Sequence, residues 1–458
     1  MIDVQLSHLA DVLDATLVGD DVTIRTVSTD TRHIEHDGLF IALKGERFDA
    51  HDFCDQALEN GARALLVSRQ LPLAVPQLVV ADTRIALGQI GAWVAKTLTE
   101  THGLKTVALT GSCGKTTVKE MVAAILEARG KVLATAGNFN NDIGVPLTLL
   151  RLTAEHDFAV IELGANHQNE IAYTTNLVKP QAALINNLAA AHLEGFGSLE
   201  GVAKAKGEIF EGLPAGGMAV VNLDSHDLSR WSAQLTEQQV VTFSAPQSEA
   251  DFSASDININ SDGRACFTMR TPKGDIPVQL TLAGSHNVAN ALAAAALSFA
   301  MGASLADVAQ GLGQVSNVKG RVDITQPYPG LRLIDDTYNA SVASVKAAID
   351  LLASFTGLRW FVLGDMAELG EESEQLHREV AEYAMDKGFD AVFTFGKASA
   401  VVSELNQGQH FAEKSGLLAA INAQVAQVLK QHQEVTVLAK GARSSRMEDV
   451  IAALQENK

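Results

Sequence analysis

The segment 106–110, TVALT, is apolar almost throughout and runs straight into Gly111-Ser112-Cys113-Gly114-Lys115-Thr116-Thr117. Beyond it Val118, Met121, Val122, Ile125 and Leu126 recur at helical spacing, and Gly130 is expected to close that helix. A strand this apolar must be covered on both faces, which confines it to the interior of a parallel sheet. The unit then repeats: FAVIEL, AALINN and MAVVN read as further buried strands, separated by helical patterns such as LEGVAKAKGEIFEGL. Alternating strand and helix means βαβ units, a central parallel sheet, and ligands at the carboxyl ends of its strands.

The junction between TVALT and its helix is where such a sheet binds anions. The common phosphate-loop spacing, with a glycine five residues before Gly114, fails because Leu109 stands there. The context outweighs the missing glycine. A buried strand, two glycines, Lys115, the hydroxyl of Thr116 and an immediate helix give successive backbone N–H groups aimed at one point, aided by the helix dipole. Lys115 can then reach the outer phosphates of a nucleotide and Thr116 can ligate Mg²⁺. A nucleotide site also needs an acidic metal ligand on a neighbouring strand, and FAVIEL ends in Glu162. That carboxylate reads either as a solvated strand tip or as the magnesium ligand, and the neighbouring loop favours the second.

In LEGVAKAKGEIFEGL the residues Val202, Lys206, Ile209 and Leu213 fall on one stripe, while Lys204 falls elsewhere and reads as solvated. Lysine is rare on an apolar face. The spacing leaves two readings of Lys206: a snorkelling side chain with its ammonium in water, or a buried amine of lowered pKa. His192 follows the strand AALINN on the same side of the sheet as Glu162 and by itself indicates little.

The rest of the chain organises around this centre. Residues 1–85 mix short strands (TIRTVS, GLFIAL, ARALLVS, PQLVVA) with two helical stretches, and a helical stretch from Gly88 leads to TVALT. Between about 240 and 282, VVTFSA, ACFTMRT and IPVQLTLA are expected to form a small antiparallel sheet. After about 316 the alternation restarts with LRLIDD, RWFVLGD, DAVFTFG and EVTVLAKG, a second doubly wound sheet. At 458 residues the chain exceeds one core, and 47% hydrophobic with 19% charged residues suits a globular fold. A formal charge of −19 makes nucleic acid an unexpected partner. Cys54, Cys113 and Cys266 show no metal or disulfide spacing and suit a reducing cytoplasm. The start of the chain lacks a basic region of the signal-peptide kind, and the longest apolar run, from Ala289, is alanine-rich and too short for a membrane span.

TGSCGKTT, ELGAN, AHLEGFGS, AKGEIF, GSHNVANALAAAA, KGR, DDTYNAS, LGDMAELG and KGAR…ME occur in this order across nearly the whole chain. The ordered set resembles the Mur ligases of bacterial cell-wall synthesis. The resemblance implies an α/β protein of three domains: a UDP-sugar domain (1–85), a central phosphate-loop ATPase domain with a small antiparallel sheet (86–315), and a Rossmann-like domain (316–458) that carries the incoming amine. It implies ATP as cosubstrate, with Gly111, Ser112, Cys113, Gly114, Lys115, Thr116 and Thr117 on the phosphates. Asn287 and Asn290 match positions near the adenine, and Arg321 and Asp336 match residues that bring the last domain onto ATP. Thr116 and Glu162 would hold one Mg²⁺, and His192 with Lys206 a second, Lys206 being carbamylated by CO₂. Ser28, Asp30, Arg32, Lys44 and Gly45 match the UDP-sugar segment.

The set is most similar to the members that join D-alanyl-D-alanine to UDP-N-acetylmuramoyl-tripeptide. The resemblance then implies that the terminal carboxylate attacks the γ-phosphate, giving an acyl phosphate that the incoming amine opens. Lys115, His192, Lys206 and Arg321 would be the catalytic set, acting in a cytoplasmic monomer that inserts in no membrane. The rivals are a sister ligase adding one amino acid and a nucleotide-dependent switch that ligates nothing. The Asp-Asn-Pro-Arg motif of the diaminopimelate-adding sister does not occur, and LGDMAELG stands in the comparable region. Two positions depart from the family pattern. Cys113 replaces a small or amide residue, and Ser341-Val342 replaces Asn-Pro after DDTYNA, which loosens the expected placement of Tyr338 and Asn339.

Overall fold

A computed structural model describes residues 1–190, 193–225 and 228–456. The buried strand Lys105–Thr110 lies inside a six-stranded, all-parallel sheet, in the spatial order 239–243, 218–222, 182–185, 105–110, 158–162, 132–134. Its two neighbours are the strands that end in Glu162 and before Asn186; Glu162 is in register with Leu109, and Ile185 with Thr110. Three carboxyl ends therefore converge on one point. The helix Lys115–Glu127 buries Val118, Met121, Val122, Ile125 and Leu126 completely against this sheet. The alanine-rich helix His286–Ala300 is buried, and its small side chains let it pack against the helix Lys115–Glu127.

A mostly parallel five-stranded sheet precedes this one, in the order 16–18, 77–79, 62–67, 38–41, 26–28, with an antiparallel edge at 16–18. A second six-stranded sheet follows, in the order 323–328, 331–336, 435–440, 358–364, 391–395, 409–411. It is parallel except for its edge strand 323–328, which runs antiparallel to 331–336. No helix among the described residues is long and apolar enough to cross a membrane.

Four local expectations need correction. VVTFSA does not join the antiparallel sheet: Gln239–Phe243 is the parallel edge strand of the central sheet, in register with Met218–Asn222. The antiparallel sheet is built instead from 253–259, 264–271 and 274–283, and its first strand, SASDINI, is too polar to be read as one. Gly130 does not close its helix, which ends at Glu127 with Ala128 in right-handed conformation. Gly130 is required for a close approach, since a Cβ there would stand 2.3 Å from the Asp157 carboxylate that accepts from Lys131 N–H. Last, the helix before TVALT starts at Thr83 rather than near Gly88. Asp82 caps it through Arg84 and Ile85 N–H, and residue 85 lies in its first turn.

Candidate active site

The loop 111–117 wraps around the end of the central strand and is held from below by amides of the neighbouring strand. Gly114 sits at φ +74°, and a Cβ there would come within 2.7 Å of Asn290 Oδ1 and 2.8 Å of Asn186 Nδ2. Only glycine lets these two asparagines press against the loop. Ser112 N–H donates to Asn187 O (3.0 Å) and Cys113 N–H to Asn187 Oδ1 (2.8 Å). Asn186 and Asn187 both donate to Cys113 O at 3.0 Å. Two of the N–H groups expected to face an anion are thus already engaged. The groups that remain to face an anion are those from Gly114 into the first turn of the helix, which have no partner within it. Lys115 folds back, its ammonium donating to Gly111 O at 2.8 Å.

Thr116 Oγ1 donates to Glu162 Oε2 at 3.0 Å, and Asn140 Nδ2 donates to Glu162 Oε1 at 2.8 Å. Both Thr116 and Glu162 are buried. A carboxylate and a hydroxyl that already touch form the sort of oxygen set Mg²⁺ takes when phosphates and waters complete its shell. Among the described residues no group of three His, Cys, Asp or Glu side chains could hold a metal by itself.

Lys206 is 1% exposed, and its ammonium has no hydrogen-bond partner among the described residues; it lies over the Phe196 ring, 5.5 Å from Nζ to centroid. Val202 and Ile209 are fully buried on the same side, while Lys204 is exposed. The buried reading of the stripe therefore holds. Burial, followed by the positive charge of Lys115, lowers the Lys206 pKa from 10.5 to about 7. An orphaned, half-neutral amine fits carbamylation, because the neutral amine is the form that adds CO₂. His192 lies outside the described residues.

The far wall comes from the C-terminal sheet. Arg321 stacks on Tyr338 at 4.1 Å, and Tyr338 N–H donates to Gly320 O. Asp336 pairs with Lys440 at 2.5 Å, and Lys440 also donates to Asn339 O at 2.9 Å. Ser341 caps the helix Val342–Ala353 in a reciprocal box with Ser344, so the turn closes without the family's proline and holds Tyr338 and Asn339. The two departures from the family pattern meet: Cys113 Sγ lies 3.2 Å from Ser341 Oγ. Asn287 and Asn290 are buried in an amide chain in which Asn186 donates to Asn290 Oδ1 and Asn290 to Asn287 Oδ1.

These residues line one cleft of about 680 Å³, which takes in Ser112 to Thr117, Glu162, Asn287, Asn290, Arg321 and Asp336. Lys206 does not line it, and neither do Ser28, Asp30, Arg32, Lys44 or Gly45. Those five lie on the N-terminal unit, where Asp30 pairs with Arg32 and Gly45 closes a turn on Phe48. Phe48, 66% exposed, stands 6.3 Å from exposed Phe53. Sequence reasoning missed Asn140, Asn187, His286 and Lys440. The doubled amide ending AALINN, next to a phosphate loop, was a usable signal for Asn187; nothing local marks Asn140 as the partner of Glu162.

Three family models match the chain: the Mur ligase family catalytic domain over 23–92, the Mur ligase middle domain over 109–298, and the Mur ligase glutamate ligase domain over 320–443. The chain is 53% identical over 458 residues to the UDP-N-acetylmuramoyl-tripeptide–D-alanyl-D-alanine ligase of Escherichia coli, covering all of this chain and 99% of that one. It is 50% identical over 462 residues to the enzyme of the same name from Haemophilus influenzae, with the same coverage. Among solved structures, MurF from Acinetobacter baumannii superposes with a TM-score of 0.93 at 37% identity, over 100% of this chain and 99% of that one. MurF from Thermotoga maritima in complex with ADP gives a TM-score of 0.82 at 25% identity, over 94% and 97%.

Proposed function

The chain belongs to the Mur ligase family, and on that premise we propose that it joins D-alanyl-D-alanine to UDP-N-acetylmuramoyl-tripeptide, consuming ATP in cytoplasmic peptidoglycan precursor synthesis. The observation that carries this reading is the 53% identity maintained over the full length of a ligase with that name. A sister ligase is the weaker reading: a diaminopimelate-adding enzyme shares only the fold, at 19% identity and a TM-score of 0.55.

The substrate's terminal carboxylate attacks the γ-phosphorus, an O–P bond forms, and ADP leaves. The amine of D-alanyl-D-alanine then attacks the acyl carbon, a C–N bond forms, phosphate leaves, and the amine gives up a proton. Both reactants of the first step are anions, so the chain must offset charge where they meet. The N–H groups from Gly114 onward, Lys115 and Arg321 do this, Lys115 exchanging the Gly111 carbonyl for phosphate. Thr116 and Glu162 would hold one Mg²⁺, and carbamylated Lys206 with His192 a second; bound there, the metal neutralises phosphate charge and polarises the γ-phosphoryl group. Asn140 keeps the Glu162 carboxylate oriented. Arg321, Asp336 and Lys440 form the opposite wall and keep water from the acyl phosphate as the cleft closes. In this reading residues 1–85 bind the UDP-sugar, 86–315 bind ATP, and 316–458 carry the dipeptide.

The test is mass spectrometry of the product from ATP, the UDP-tripeptide and D-alanyl-D-alanine, together with phosphate release. A ligase releases phosphate only with both other substrates present. Release without them, and no pentapeptide product, would overturn the reading.

A further inference from the structure

A second cavity, of about 410 Å³, lies beside the nucleotide cleft and is lined by Arg84, Ile85, Asp142, Gln168, Asn169, Glu170 and Tyr173. It shares its partition with the cleft: Asn138, Asn140 and Asn141 face the nucleotide side and Asp142 this one, while Asn166 faces the nucleotide side and Gln168 to Glu170 this one. Its third wall is the first turn of the helix Thr83–His102, which follows directly on the N-terminal sheet. The cavity is thus walled on one side by a helix that continues from the N-terminal unit and on the other by segments that also line the cleft.

The walls are built for a ligand. Arg84 and Asp142 form an ion pair, both partly exposed to the cavity. Gln168 donates to Gly201 O at 2.8 Å, yet its Oε1 is buried without a partner among the described residues. The Tyr173 hydroxyl is likewise buried and unpartnered. It fits there because residue 88 is glycine, where a Cβ would stand 2.2 Å from it. Glu170 is committed elsewhere, accepting from Asn166 N–H, His167 N–H and the His167 ring. The groups on offer are therefore one guanidinium, one carboxylate, one spare carbonyl acceptor, one spare hydroxyl and the exposed Asn169 amide.

Resting on the ligase reading above, we propose that this cavity binds the side-chain end of the tripeptide's third residue, and that Arg84 selects a side chain ending in an amino acid centre, as in diaminopimelate, over the single ammonium of lysine. The third residue carries the reacting carboxylate, and the far end of its extended side chain lies about 6–7 Å away. A cavity sharing a wall with the Glu162 side of the cleft is placed to receive it. A centre bearing both carboxylate and ammonium can divide the Arg84–Asp142 pair, its carboxylate taking Arg84 and the Tyr173 hydroxyl and its ammonium taking Asp142 and Gln168 Oε1. Every charge stays paired. A lone ammonium satisfies only the Asp142 half.

The experiment compares steady-state turnover of two UDP-tripeptides, one ending in diaminopimelate and one in lysine, with binding of each measured calorimetrically without ATP. Wild type should favour diaminopimelate at least tenfold in kcat/KM. Arg84→Gln should raise KM and Kd for that substrate by about 10- to 100-fold, the range of one charge-assisted hydrogen bond, and change the lysine substrate less than threefold. Tyr173→Phe, which preserves packing, should cost the diaminopimelate substrate alone. Equal use of both substrates by wild type, or equal losses on both in the two variants, overturns the assignment. Turnover of neither substrate by wild type would instead overturn the ligase reading itself.

Discussion

Replacing Lys206 with methionine should make the protein more stable while removing its activity. The side chain is 1% exposed, lacks a hydrogen-bond partner among the described residues, shares its helix face with buried Val202 and Ile209, and has its ammonium over the Phe196 ring. Its pKa of about 7, against 10.5 for the free side chain, means that the folded state disfavours the protonated form. At about 1.4 kcal/mol per tenfold, that difference burdens the unmodified fold by about 4 kcal/mol at pH 7. Methionine has nearly the same length and no charge to bury, so it removes this burden. Between pH 7 and 10.5 the unfolded chain holds more protons than the folded one, so wild-type stability rises with pH across that window. The advantage of Lys206→Met should therefore be constant below pH 7 and shrink toward zero near pH 10.5. Thermal unfolding in CO₂-free buffer at pH 6, 7, 8 and 9.5 measures it; at about 2 °C or more per kcal/mol the gap at pH 6 should be roughly 8 °C. Bicarbonate should raise the wild-type transition and leave Lys206→Met unmoved, because only an amine forms a carbamate. A gap that does not change with pH, or a methionine variant that melts below wild type at pH 6, would refute the reasoning.

Lys115→Ala should abolish turnover with an unchanged circular dichroism spectrum, since among the described residues the ammonium hydrogen-bonds only the Gly111 carbonyl; activity within threefold of wild type would remove it from the mechanism. Turnover at limiting CO₂ should fall as pH drops through about 7, where the Lys206 amine becomes protonated, and bicarbonate should shift the fall to lower pH; a profile indifferent to bicarbonate speaks against carbamylation. Cys113, half-exposed in the cleft, should react with iodoacetamide before Cys54, which is buried and whose pKa burial pushes up to about 11. Mg·ATP should slow that labelling in step with protection of activity; labelling that ATP does not slow would place the thiol away from the phosphates.

The central sheet was legible because its strands are apolar on both faces and its helices carry unbroken stripes; that is why Glu162 and Lys206 stand out in the sequence as charges on apolar elements. Lys206 was legible as an anomaly, a charge on the stripe of Val202 and Ile209, though spacing could not separate a snorkelling ammonium from a buried one. Contacts made by polar side chains between segments distant in sequence were not legible. Asn140 reaches Glu162 over 22 residues, Asn187 reaches Cys113 over 74, and Lys440 reaches Asp336 over 104. No periodicity records such pairings, because one asparagine or lysine in a loop satisfies many environments equally well. The polar strand 253–259 and the edge strand 239–243 failed for a related reason: at a sheet edge one face is wet, and the hydrophobic pattern no longer tells which sheet a strand joins.

The two departures from the family pattern show how such a contact changes the meaning of a substitution. Taken alone, the absence of proline at residue 342 suggests a looser turn, and Cys113 an incidental small residue in a phosphate loop. In the folded chain Ser341 closes the turn itself, through its box with Ser344, and places its hydroxyl 3.2 Å from the Cys113 thiol. One side of that contact belongs to the loop 111–117 and the other to the cap of a helix on the opposite wall of the cleft. The pair therefore bridges the two walls of the cleft proposed to take ATP, and any movement of one wall against the other must break or remake it. A sulfur–hydroxyl contact is weak enough to do so at small cost. An asparagine followed by proline would offer a bulkier, stiffer edge at the same place. The substitutions are best understood together, as one cross-cleft contact whose halves lie 228 residues apart.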